Sequence, residues 1–180
     1  MPKSKAVDAG HGVFTDHAIL RDPKKVPKPK DQKHLVSFLG TADDRALGIA
    51  YAEAGDPRAA EYLAKAKPSD AEVLLRLAVI EKDPSRAAIL YQATHREQPT
   101  NTTALVNLGV LYAQSNRPEE AAALWKRALQ TNPAIEGVAL NLAQILPKPE
   151  AQAVLERYLI FNPGATAVKA RLSALTKEKL

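Results

Sequence analysis

The stretch Thr102-Thr-Ala-Leu-Val-Asn-Leu-Gly-Val-Leu-Tyr-Ala-Gln-Ser-Asn-Arg-Pro-Glu-Glu-Ala-Ala-Ala-Leu-Trp-Lys-Arg-Ala-Leu-Gln-Thr-Asn-Pro133 decides the fold. It reads as two helices joined by a turn. Gly109 and Ala121 are small, so the helices can approach closely. Leu108, Tyr112, Leu124 and Trp125 fill the space around that crossing. Asn116-Arg-Pro118 makes the turn, and Pro118 opens the second helix, where its missing N–H costs nothing. Glu119 and Glu120 sit in the first turn of that helix and favour its dipole, while Lys126 and Arg127 lie toward the other end. Pro133 closes the unit.

Working outward, the closing proline recurs. Pro68, Pro99, Pro133 and Pro163 are spaced by 31, 34 and 30 residues, each after a helical segment. A fixed period of this length signals a repeat architecture. The unit before Pro68 has Leu47, Gly48, Tyr51, Gly55-Asp-Pro57 and Ala60, with a short second helix. The unit before Pro99 has Leu77, Ala78, Asp83-Pro84, Ala87, Tyr91 and Thr94. The unit before Pro163 has Leu142, Ala143, Pro147-Lys-Pro149, Ala151, Leu155 and Tyr158. The second and fourth units lose a few residues at the turn, where repeats tolerate shortening. Helices are expected near 42–54, 57–66, 70–82, 84–97, 101–114, 118–131, 135–146, 149–161 and 165–177.

The unit 102–133 resembles the tetratricopeptide repeat. Leu108 and Gly109 fall on its Leu-Gly pair and Tyr112 on its first-helix aromatic. Ala121, Trp125, Ala128 and Pro133 fall on its second-helix Ala, aromatic, Ala and closing Pro, so seven positions agree at fixed spacing. The resemblance implies an all-α fold, an α-solenoid of about four helix pairs. The units are 41–68, 69–99, 100–133 and 134–163, with a capping helix in 164–180, and a leader over 1–40 precedes the repeat domain at 41–180. It further implies a right-handed, curved array whose first helices line a concave face. By repeat position that face includes Arg45, Ile49, Arg76, Val79, Val106, Asn107, Val110, Gln114, Leu140, Asn141 and Gln144. Asn107 and Asn141 occupy equivalent positions, where their amides suit an extended peptide's backbone or hydrogen-bond within the array. The carboxylate clamp of chaperone-binding relatives is absent, because Ile49 and Val79 stand where its first-unit Asn would be. The expected function is a scaffold that binds a protein or peptide partner. The oligomeric state is left open.

Composition narrows the chemistry. The chain has 180 residues, 46% hydrophobic, with 5% aromatic and no cysteine. An apolar set dominated by Ala and Leu, with few aromatics, favours helices over sheet. The missing cysteines exclude disulfides, thiolate zinc sites, iron–sulfur clusters, a Cys nucleophile and covalent haem attachment within this chain. No apolar run approaches the ~18 residues of a membrane span, and no secretory signal opens the chain. The chain taken as complete is therefore expected to be cytoplasmic and not inserted in a membrane. No catalytic constellation is visible: His95 has no nearby Ser or Cys, Glu119 and Glu120 read as dipole partners, and there is no Gly-rich phosphate loop. An enzyme is not expected, nor a metal site or cofactor in this chain. Trp125, Tyr112 and Tyr91 read as repeat core rather than as a ligand pocket.

The net charge of +5 is uneven. Residues 1–40 hold eight Lys or Arg against four Asp, and residues 41–180 hold 17 basic against 16 acidic residues. Lys24-Lys-Val-Pro-Lys-Pro-Lys30 is expected to be an extended, solvated spacer, cleavable after Lys24, Lys25 or Lys28. It lacks the interleaved aromatics of a nucleic-acid site, so no nucleic-acid partner is expected. Met1-Pro-Lys3 with His11-Gly-Val-Phe-Thr-Asp-His17-Ala-Ile-Leu-Arg21 is similar to a stretch in multihaem c-type cytochromes that continue into tetratricopeptide repeats. There it follows a Cys-x-x-Cys-His site, which this chain lacks. The resemblance implies an alternative function as the C-terminal portion of an extracytoplasmic electron-transfer protein carrying haem c upstream. His11 and His17 would then be axial ligands in a longer native protein, and the location would be periplasmic.

Overall fold

Four helix starts among the described residues are held by short polar side chains that take otherwise unpaired backbone N–H groups. Asp43 accepts from Ala46 N at 2.7 Å, Asp70 from Glu72 N at 3.0 Å, Asp83 from Ser85 N at 2.8 Å and Asn101 from Ala104 N at 3.0 Å. The computed structural model of the protein describes residues 43–177. Among them are nine helices and no strand: α1 Asp44–Glu53, α2 Ala59–Lys65, α3 Ala71–Ile80, α4 Pro84–Glu97, α5 Thr102–Gln114, α6 Pro118–Thr131, α7 Glu136–Ile145, α8 Lys148–Phe161 and α9 Thr166–Lys177. Each expected helix is present, most of them trimmed by one or two residues at an end. The leader and its two histidines, His11 and His17, lie outside the described residues.

The chain divides into two units, Met1–Pro68 and Ser69–Leu180. In the first, α1 and α2 pack as one pair. A Cβ on Gly48 would meet the Leu63 side chain and backbone nitrogen at 2.8 Å, so glycine is what allows this crossing. The chain buries Ala59 rather than the expected Ala60, which is exposed. The buried alanine stands 11 residues after Gly48, against 12 from Gly109 to Ala121, so the inward face of the second helix is shifted back by one.

In Ser69–Leu180 the principal packing runs in order: α3 on α4, α4 on α5, α5 on α6, α6 on α7, α7 on α8 and α8 on α9. Each helix is therefore held chiefly by its sequence neighbours, as in a stacked array of helix pairs. The core repeats with the sequence. Ala87, Ala121 and Ala151 are buried at one repeat position, and Tyr91, Trp125 and Leu155 at another. The central cluster joins Leu105, Ala121, Trp125, Ala128, Val138 and Leu142. At the far end Val168 and Leu175 of α9 close over Ala139, Ala143, Leu155 and Tyr158.

Turn chemistry follows how far the first helix runs past its small residue. Gly55 and Asn116 hold the same repeat position, and both take the left-handed region, at φ 66° and 59°. Glycine and asparagine bear that conformation most easily. In each case an arginine of the turn stacks on the first helix's tyrosine: Arg58 lies 4.4 Å from the Tyr51 ring centroid and Arg117 4.1 Å from that of Tyr112. Helices α3 and α7 end two residues after Ala78 and Ala143, where α1 and α5 run five past Gly48 and Gly109, and they leave through Glu81 and Leu146 in extended backbone instead.

Candidate functional site

The first helices, α1, α3, α5 and α7, carry every candidate of the expected concave face. In the Met1–Pro68 unit, α1 presents Arg45 exposed and Ile49 half-buried. In the other unit, α3 presents Arg76, whose Nε donates to Glu72 at 2.7 Å, and Val79, 54% exposed for so apolar a residue. On α5, Val106 and Val110 are half-buried, and on α7 so are Leu140 and Asn141, while Gln114 and Gln144 are exposed.

The two asparagines differ. Asn107 Nδ2 donates to the Tyr91 hydroxyl at 3.1 Å, which ties α5 to α4. Burial raises the Tyr91 phenol above its ordinary value, and the Asn107 bond opposes that rise. One edge of the Asn107 amide is thus used inside the array, which leaves its oxygen as the edge for a ligand. Asn141 makes no hydrogen bond to the other described residues, so both edges of its amide are available.

Val106 and Asn107 line a shallow depression of about 300 Å³ with Thr102, Thr103, Asn132 and Ile135. Its rim supplies hydroxyls and amides and no charge, a lining suited to peptide backbone. Gln114 falls elsewhere. It joins Ile89 and Gln92 of α4 and Arg117 around a groove of about 500 Å³ at the turn end of the helices. Arg117 in that groove is already bonded to Glu120, whose carboxyl it holds below the usual range.

The aromatic residues are structural. Trp125 is 3% exposed, and its Nε1 donates to the Val106 carbonyl at 3.1 Å. Tyr112 is half-buried and its hydroxyl accepts from Gln92 Nε2 at 2.8 Å. Lys126 and Arg127 sit in the middle of α6 rather than its last turn. They reach across to neighbouring helices instead of serving the dipole: Lys126 pairs with Glu150 at 3.1 Å, and Arg127 lies 3.1 Å from His95. A third groove, about 420 Å³ between α6 and α8, includes Leu129, Val154, Arg157 and Phe161. The repeat pattern did not point to it. Its one sequence signal is the apolar run Leu159-Ile-Phe161 before Pro163, longer than the core uses.

Among the described residues no three His, Asp or Glu side chains converge as a metal site, and no helix is long and apolar enough to cross a membrane.

The tetratricopeptide-repeat family model matches residues 78–145, from the end of α3 through α7. These are tetratricopeptide repeats. No curated protein matches the chain by sequence. Solved structures of MamA are similar. MamA AMB-1 matches in two crystal forms, at TM-scores of 0.64 and 0.61, each 23% identical over 75% of this chain and 80% or 86% of theirs. MamA MSR-1 matches at 0.60, 23% identical over 75% of this chain and 84% of its own. At that identity the likeness shows the fold alone. The tetratricopeptide repeats here are thus an all-α solenoid of helix pairs, with α9 packed after the last pair.

Proposed function

We propose that this tetratricopeptide-repeat protein is an interaction scaffold that holds an extended peptide of a partner protein on its first-helix face, and that it is not an enzyme. The observation that carries the reading is the pair Asn107 and Asn141. They stand one repeat apart on α5 and α7, half-buried, each with amide capacity left over beside apolar neighbours Val106, Val110 and Leu140. Amides at repeat spacing hold a peptide's backbone, and the apolar residues between them take its side chains. The uncharged depression at Val106 and Asn107 suits such a chain better than a charged terminus.

A random peptide library displayed on phage and panned on the full chain tests it. Selected peptides are expected to share an apolar pattern, and Asn141→Ala is expected to weaken them about fivefold, the worth of one hydrogen bond. Val110→Asp should abolish binding while leaving helix content intact. Peptides that bind both variants as they bind the parent chain would remove the first-helix face from consideration.

A further inference from the structure

Two successive seams of the Ser69–Leu180 unit use the same repeat positions and are closed differently. His95 stands four residues before Pro99, and Leu129 four before Pro133. Arg127 stands six residues before Pro133, and Arg157 six before Pro163. At the seam between α4 and α6, Arg127 reaches back: its Nη1 lies 3.1 Å from His95 Nε2, and its Nη2 donates to the Pro99 carbonyl at 3.3 Å. Between α6 and α8 the residue at the histidine's repeat position is Leu129, which lines the same groove as Arg157 and accepts nothing. The Pro133 carbonyl takes Asn162 Nδ2 instead, at 3.4 Å. Arg157 consequently has no hydrogen bond or ion pair to any described residue.

The seam without an arginine bridge holds the groove of about 420 Å³, walled by Leu129, Pro133, Leu142, Val154 and Phe161 around Arg157. Phe161 is 60% exposed at its rim. The lining holds two cations, Lys126 and Arg157, and no carboxylate. Lys126 is matched by Glu150 at 3.1 Å, so the charge left over belongs to Arg157.

The geometry points to the α6–α8 groove as a docking site for a partner-protein segment that places a carboxylate beside a bulky apolar side chain. The guanidinium fork pairs with a carboxylate through two parallel hydrogen bonds. The apolar side chain takes the space that Leu129, Val154 and Phe161 surround, and a concave apolar site with one oriented charge fixes a ligand's direction. A membrane surface is a poorer fit, since anionic lipid attracts clusters of cations, not a single arginine over a hollow. The inference rests on the scaffold reading but concerns the second helices, a different face from the one proposed above.

The test uses the full chain and three labelled peptides in a Gly-Ser background, with a central Glu-Phe, Lys-Phe or Glu-Ser pair. Fluorescence anisotropy reads affinity, and methyl NMR reads location. The Glu-Phe peptide is expected to bind and to shift the methyls of Leu129, Leu142 and Val154. Arg157→Ala should weaken it about tenfold, in the range of an interface arginine. Leu129→His should do the same, because it offers Arg157 the acceptor that Arg127 already has. Equal binding of the Lys-Phe peptide, or no binding of Glu-Phe, overturns the proposal. Shifts confined to Val106 and Val110 overturn it while supporting the first-helix face. Groove shifts that grow with protein concentration alone, with a dimer in sedimentation, assign the groove to a second copy and overturn it as well. Loss of the library peptides' dependence on Asn141 and Val110, with groove binding intact, would sink the scaffold's first-helix face and leave this site standing.

Discussion

Glycine and tryptophan at one crossing show how far single residues determine this fold. Trp125 lies against α5 because Gly109 has no Cβ: one added there would come within 2.7 Å of Trp125 Cδ1. Gly137, in the first turn of α7, has nothing within 4 Å of the same construction. The two glycines therefore respond to alanine with opposite signs. In urea titrations Gly109→Ala is expected to lose about 1–3 kcal/mol through overpacking, and Gly137→Ala to gain about 0.5 kcal/mol by restricting the unfolded chain. Trp125→Ala should lose about 3–5 kcal/mol through the cavity it leaves. A gain for Gly109→Ala would mean that the ring can move aside and that the crossing is looser than described. The roles of Gly109 and Trp125 were legible in the sequence, because small and large residues alternate at fixed repeat positions. The slip from Ala60 to Ala59 was not, because it depends on how one linker enters its helix, which the period alone does not encode.

At the scale of elements, the seam between α4 and α6 carries a titratable group that the sequence left without a role. His95 Nδ1 is buried without a partner, and Nε2 faces Arg127. Burial first, and the Arg127 charge second, lower its pKa below the ordinary value. A histidine depressed in the fold contributes stability that is complete above its unfolded pKa of about 6.5 and is lost as the pH falls through the lower folded value. Thermal melts are expected to show Tm falling as the pH drops below about 6.5, with part of that slope absent in His95→Leu. Identical slopes in the two proteins would mean that the ring escapes to water when it protonates. Helix existence and order were readable from prolines and repeat spacing. The seams were not, because they join side chains about 30 residues apart, and only the stacked helices reveal that Arg127 meets a histidine where Arg157 shares a groove with a leucine.

For the molecule taken whole, the last helix shows what stacking requires. Val168 is fully buried and Leu175 nearly so against the α7–α8 pair. A chain ended at Pro163 leaves Ala139, Ala143 and Leu155 facing water. It is expected to keep a helical far-UV spectrum, unfold at lower urea and associate in sedimentation, since terminal repeats need a polar outer side. Unchanged stability and a monomer would show that α9 is an accessory. The helix-to-helix order of packing in Ser69–Leu180 also has a mechanical consequence. Pairs α4 and α6, or α6 and α8, meet through long side chains across grooves, whereas the buried cores lie along the zigzag of sequence neighbours. Bending that opens one groove and narrows another leaves those cores intact. Under a pulling force the unit should lengthen elastically before any helix pair is torn out.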